Sequence, residues 1–147
     1  MYERILVATD GSALSEKAVQ SALSLAKLSG ATLVALRVIP RYPRSYLEGG
    51  ATVDISEIKR IEAQWTAQAQ EQLSAIKAEG KNMGVTVKTT IAKSDLVAES
   101  IIATADKQEV DLIVMASHGR KGIKRLLLGS ETQHVLTHSG KIGRAHV

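Results

Sequence analysis

Short apolar runs alternate with longer stretches in which apolar residues recur every three or four positions. "RILVAT" (Arg4–Thr9) is a run of strand-forming residues closed by Asp10 and Gly11, and it reads as a buried strand. Ser12 then offers an N-cap hydroxyl. Residues 13–29 carry Leu14, Ala18, Ala22 and Leu25 on one stripe, which predicts a helix ended by Gly30. "ATLVALRVI" (Ala31–Ile39) is a second buried strand, stopped by Pro40. A loop follows, with Pro43 and the Gly49-Gly50 pair. Asp54 or Ser56 caps a long helix to about Glu79, whose residues Ile58, Ile61, Trp65, Ala69, Leu73 and Ile76 form one apolar face. Gly80 and Gly84 bracket its stop. "VTVKTTI" (Val85–Ile91) alternates and is rich in Thr, as an edge strand or a strand with one exposed side would be. Ser94-Asp95 starts a third helix to about Lys107. "DLIVMAS" (Asp111–Ser117) is a fourth strand, and Gly129-Ser130 opens a fourth helix to about His138.

This alternation predicts an α/β fold: an open parallel sheet, Rossmann-like, with right-handed crossovers and helices on both faces. Composition sharpens the picture. The 147 residues suit one domain, and 44% of them are hydrophobic, enough for a core. With no Phe, one Trp and three Tyr, that core must be aliphatic, as in helices packed on a buried parallel sheet. The lack of cysteine excludes disulfides and thiolate metal sites. No apolar run approaches the ~20 residues of a membrane span. The first ten residues open with a charged pair and are too short in apolar length for a signal peptide. The expectation is a soluble cytoplasmic protein without internal repeats.

Charge points to a site. Residues 1–118 hold 13 Lys/Arg and 14 Asp/Glu, a net −1, whereas residues 119–147 hold six Lys/Arg and one Glu, a net +5. The excess begins in "SHGRKGIKRLLLGS" (Ser117–Ser130), with Gly119, Gly122 and Gly129 among Arg120, Lys121, Lys124 and Arg125. A nucleic-acid coat would spread cations over a face and interleave aromatics; one local cluster suits a small anion. Ligands of open α/β sheets sit beyond the carboxyl ends of strands where the winding reverses. Two strand ends carry suitable chemistry: "ATDGS" (Ala8–Ser12) and the basic loop. Glycines let backbone N–H groups turn towards a phosphate, and Gly129-Ser130 places a helix N-terminus and a hydroxyl there. Asp10 would repel phosphate, so it suits a ribose hydroxyl, an amine or a phosphate-bound metal. Neither the P-loop nor the dinucleotide fingerprint is present. On the residues alone, a solvated glycine-rich surface loop stands beside the phosphate cradle.

"ILVATDGS", the "LRV" that ends the second strand, and "ASHGRKGIKRLLLGSETQHVL" resemble the universal stress protein family over residues 1 to about 139. ATP-binding members show Gly, two residues, Gly, nine residues, then Gly and Ser/Thr. This chain keeps that spacing through Gly119 and Gly129-Ser130, with Ala116 where the first Gly belongs. "DLIVMA" runs unbroken into Ala116, so that residue is expected to be extended, where a methyl group matters little. The resemblance implies a sheet order of 3-2-1-4-5. It implies that Thr9, Asp10 and the Val38 backbone hold ribose and adenine, and that Met115 and Ala116 line the floor. Gly119, Gly129, Ser130, Glu131 and Thr132 would hold the triphosphate, with or without Mg2+. The family's fifth strand, often used for homodimer pairing, is missing or degenerate. The domain is read as residues 1–139, and residues 140–147 as an atypical tail. "KIGRAHV" looks like a translated sequencing-library adapter on a truncated frame, which is favoured over a natural short tail.

Other candidates carry less. His134 and His138 are four apart on a helix, but no third metal ligand accompanies them, so a solvated face is favoured. His118 has no Ser/His/Asp partners for nucleophilic catalysis. Trp65 reads as core or its edge. Arg41, Arg44 and Tyr46 read as a flap over the pocket. The sequence therefore points to an ATP-binding stress or regulatory protein, without catalytic residues, at most a slow hydrolase, with no nucleic-acid or membrane partner. The alternatives are a nucleotidyl- or phosphoryl-transferring enzyme on the same fold and a member that binds no nucleotide and acts through protein contacts.

Overall fold

The computed structural model describes residues 2–41, 55–118 and 124–126. Their order is β1 (Arg4–Thr9), α1 (Ala13–Ser29), β2 (Thr32–Ile39), α2 (Ile55–Met83), β3 (Val87–Lys93), α3 (Val97–Lys107), β4 (Leu112–His118) and β5 (Lys124–Leu126). The sheet runs β3-β2-β1-β4-β5. The first four strands are parallel: β1 pairs with β2 from Arg4↔Thr32 to Thr9↔Arg37, and with β4 from Ile5↔Leu112 to Ala8↔Met115. β3 lies outside β2, from Leu33↔Val87 to Ile39↔Lys93. From β1 to β3 the chain winds one way, then returns past β1 to place β4. Right-handed crossovers therefore set α1 and α2 on one face and α3 on the other, with the reversal between β1 and β4.

The central strands are buried on both faces, which is why their sequences lack alternation. Ile5, Leu6, Val7, Leu33, Val114 and Ile113 are almost wholly inaccessible, and each contributes roughly 1.5–3 kcal/mol through burial. β3, at the edge, exposes Lys88, Thr89 and Lys93. Its charged ends suit an edge that must not pair with another chain.

Several element ends differ from the sequence expectation, each for a local reason. In α1 the buried face centres on Ser15, Ala18, Val19, Ala22, Leu23 and Ala26, while Leu14 and Leu25 flank it half-buried. α2 runs through Gly80 to Met83. It closes in a Schellman motif: Val85 N donates to Gly80 O at 2.7 Å and Gly84 N to Lys81 O at 3.2 Å, with Gly84 at φ +80°. Val85 and Thr86 complete that turn, so β3 starts two residues later than expected. α3 starts after Ser94-Asp95 because both side chains are engaged in the lead-in. Ser94 Oγ accepts from Leu96 N at 3.0 Å, and Asp95 Oδ1 accepts from Arg41 N at 3.0 Å. Asp111 precedes β4 and clamps the start of β1, its carboxylate accepting from Glu3 N and Arg4 N at 2.9 and 3.1 Å. Trp65 lies half-buried at the core's edge.

Within the basic segment, residues 124–126 are not loop. They form β5, antiparallel to β4 from Ala116↔Leu126 to His118↔Lys124. This short strand precedes Gly129-Ser130 in sequence and is thus distinct from the family's closing strand. The expected fourth helix and the tail lie outside the described residues.

Candidate functional site

Beyond the carboxyl ends of β1, β2 and β4 lies a cleft of about 230 Å³, bounded by Ala8, Thr9, Asp10, Val38, Met115 and Ala116, with Val97 and Ile101 of α3 across from them. It sits at the point where the winding reverses. Its walls are aliphatic: Ile101 and Met115 are buried, Val38 half-buried and Val97 partly exposed. Asp10 is exposed at the end of β1. An apolar slot with a carboxylate beside it can sandwich a flat heterocycle and bind a hydroxyl or amine next to it.

The turn that carries Asp10 is held by its own side chains. Ser15 Oγ donates to Ser12 O at 2.9 Å. A hydroxyl has one proton, so in the 2.9 Å contact between Thr9 Oγ1 and Ser15 Oγ the donor is Thr9. Thr9 Oγ1 in turn accepts from Gly11 N at 3.2 Å, and Asp10 Oδ1 accepts from Ser12 N at 2.9 Å. Ser12 caps α1 by accepting from Ser15 N at 3.2 Å. Gly11 takes φ +83°, which a side chain would strain. Thr9 and Ser15 are 7% and 2% exposed. The Thr9 hydroxyl proton is thus used within the turn.

Five of the expected site residues come together here: Thr9, Asp10, Val38, Met115 and Ala116. Ala116 lies within β4, in extended backbone, where its methyl group imposes no strain. Gly119, Gly129, Ser130, Glu131 and Thr132 lie outside the described residues, as do Arg44, Tyr46, His134 and His138. Ser15, Arg37, Val97 and Ile101 also border the cleft and are not singled out by sequence reasoning. Arg37 did leave a signal, as the lone cation inside the apolar run of β2. Ile101 left no such signal, because helical periodicity cannot say which strand end a helix faces.

A larger hollow of about 840 Å³ runs between α1 and α2 and is bridged by Gln20 Nε2 donating to Glu79 Oε1 at 2.7 Å. Size does not make it the better candidate: apart from Thr9 and Gly11 it is lined by two helix flanks, and only one strand end reaches it. Among the described residues no group of three or more His, Cys, Asp or Glu could hold a metal.

The model of the universal stress protein family matches residues 1–141. The chain belongs to the universal stress protein family. Universal stress protein MJ0577 of Methanocaldococcus jannaschii is 31% identical over 150 residues, covering 96% of this chain and 92% of that protein. The solved MJ0577 structure superposes with a TM-score of 0.75 at 28% identity, covering all of this chain and 97% of that one. Two more distant universal stress proteins share the fold. One, solved in complex with cAMP, has a TM-score of 0.60 at 23% identity, covering 99% of this chain and 97% of that one. The other, from Archaeoglobus fulgidus in complex with dAMP, has a TM-score of 0.59 at 21% identity, covering 96% and 95%. In this universal stress protein the order β3-β2-β1-β4 and the β1–β4 reversal agree with the family's fold, and no described helix is long and apolar enough to cross a membrane.

Proposed function

We propose that this universal stress protein binds an adenine nucleotide, ATP foremost, in the cleft beyond β1, β2 and β4, and serves a regulatory role in the stress response. The observation that carries the reading is the convergence of Asp10, Val38, Met115 and Ala116 on one aliphatic slot at the winding reversal. The slot is smaller than the ~300–1,000 Å³ of typical small-molecule sites, so it suits a base and part of a sugar. Val38, Met115 and Ile101 flank the adenine, and Asp10 takes the ribose hydroxyls. The phosphates extend towards Gly119, Gly129, Ser130, Glu131 and Thr132, and Mg2+ enters with them rather than through a protein cluster. Two family structures hold cAMP and dAMP, both adenine nucleotides, and this supports the choice of base. The protein works in the cytoplasm as a binder rather than an efficient enzyme, without nucleic-acid or membrane partners; a homodimer requires the closing strand. The domain proper is residues 1–139.

Titration calorimetry and thermal melts with ATP and GTP, each with and without Mg2+, test the proposal. ATP is expected to release heat, raise the melting temperature and outcompete GTP. No heat and no shift at millimolar ATP would reject it. Turnover of a phosphoryl acceptor would instead favour the transferase reading.

A further inference from the structure

The last paired residues of β1 and β2 are Thr9 and Arg37. Asp10 and Val38, which border the cleft, directly follow that rung, and Gly11 lies one residue further on. A side chain from α2 reaches both strand ends. Gln72, half-buried in the middle of that helix, accepts from Arg37 Nε through Oε1 at 3.2 Å. The other end of the same amide bears on Gly11: a Cβ placed there would lie 2.5 Å from Gln72 Nε2. Gly11 is also the residue whose N–H donates to Thr9 Oγ1. One amide therefore touches both strand ends, and the absence of a side chain at position 11 is what gives it room.

We propose that Gln72 is a positioning residue for the cleft. By accepting from Arg37 with its oxygen and packing on Gly11 with its nitrogen, it sets the spacing of the β1 and β2 ends and couples α2 to ligand recognition. The coupling to ligand rests on the nucleotide reading; the spacing of the strand ends does not. A half-buried guanidinium needs an acceptor, and a hydrogen bond to a charged donor is stronger than one between neutral groups. An amide with both ends in contact has little rotational freedom, so its loss frees both strand ends together.

Gln72→Leu keeps a branched apolar stem, one atom shorter, and removes both polar ends; Gln72→Glu keeps the full length and restores an acceptor for Arg37. Calorimetry with ATP is expected to show about fivefold weaker binding for Gln72→Leu and recovery to within about twofold for Gln72→Glu. Amide exchange in the ligand-free full chain gives an independent readout. Gly11 and Ser12 should exchange several-fold faster in Gln72→Leu, while Leu6 and Leu33 in the sheet centre keep their rates. Equal binding and equal exchange in all three proteins overturn the proposal. So does a loss that Gln72→Glu leaves unrepaired, or faster exchange spread evenly through the sheet. If wild type binds no ATP yet Gly11 and Ser12 still respond, the nucleotide reading falls and the positioning role stands.

Discussion

Ser15 carries one hydroxyl proton and gives it to Ser12 O, so Thr9 has to donate to Ser15. Both groups are buried, and the direction of that bond makes the consequences of substitution asymmetric. Ser15→Ala leaves the Thr9 hydroxyl proton without an acceptor inside the protein, at a cost of about 1–3 kcal/mol. In a domain of this size the melting temperature should fall by roughly 3–8 °C, measured by circular dichroism. Adding Thr9→Val removes the stranded donor, so the double variant should melt above the sum of the two single losses. Of this network the sequence shows only the Ser12 cap. Ser15 reads as an ordinary helical residue, because its partner is set by how α1 folds back over the end of β1.

At the scale of elements, Gly80 is the clearest case of packing overriding pattern. It reads as a helix stop, yet α2 continues through it to Met83 and is closed by Gly84. The reason is proximity to β3: a Cβ on Gly80 would run into Val87 Cγ2 and lie 3.2 Å from Val85 O. In an exposed helix Gly→Ala gains up to about 1 kcal/mol. Here the sign reverses, and Gly80→Ala should cost about 1–3 kcal/mol through overpacking. Chemical denaturation measures it, and Val87→Ala in the same chain should return part of the loss. A Gly80→Ala protein as stable as wild type would show that α2 can lift off the sheet freely. Helix α3 teaches the same lesson from its other end. Ser94 and Asp95 look like caps, but they bond Leu96 N and Arg41 N and so fasten the lead-in beside the cleft.

For the whole molecule, the side of the sheet to watch is that of β4 and β5. Leu112–Met115 pair with β1, and among the described residues only Ala116–His118 have a partner on the far side, in β5. An apolar strand with an open edge invites association. Replacing the sequence from Gly140 onward with an apolar strand of the family's kind should raise the melting temperature by a few degrees per kcal/mol gained. It should also yield dimers by light scattering. A clean dimer of equal stability with the present tail would show that His138–Val147 is native and functional. The sequence by itself determined the α/β class, the four parallel strands and the strand ends that border the cleft. Apolar runs and 3.6-residue periodicity report burial, and burial is what builds a doubly covered sheet. It also marked Asp10, Val38, Met115 and Ala116, through a family pattern that preserves spacing. Only the tertiary structure decided that Ile101 and Val97 close the cleft, that Thr9 spends its proton on Ser15, and that Gln72 bridges Arg37 and Gly11. Those contacts join residues from 6 to about 90 positions apart, and no local period encodes which face of one helix meets which strand end.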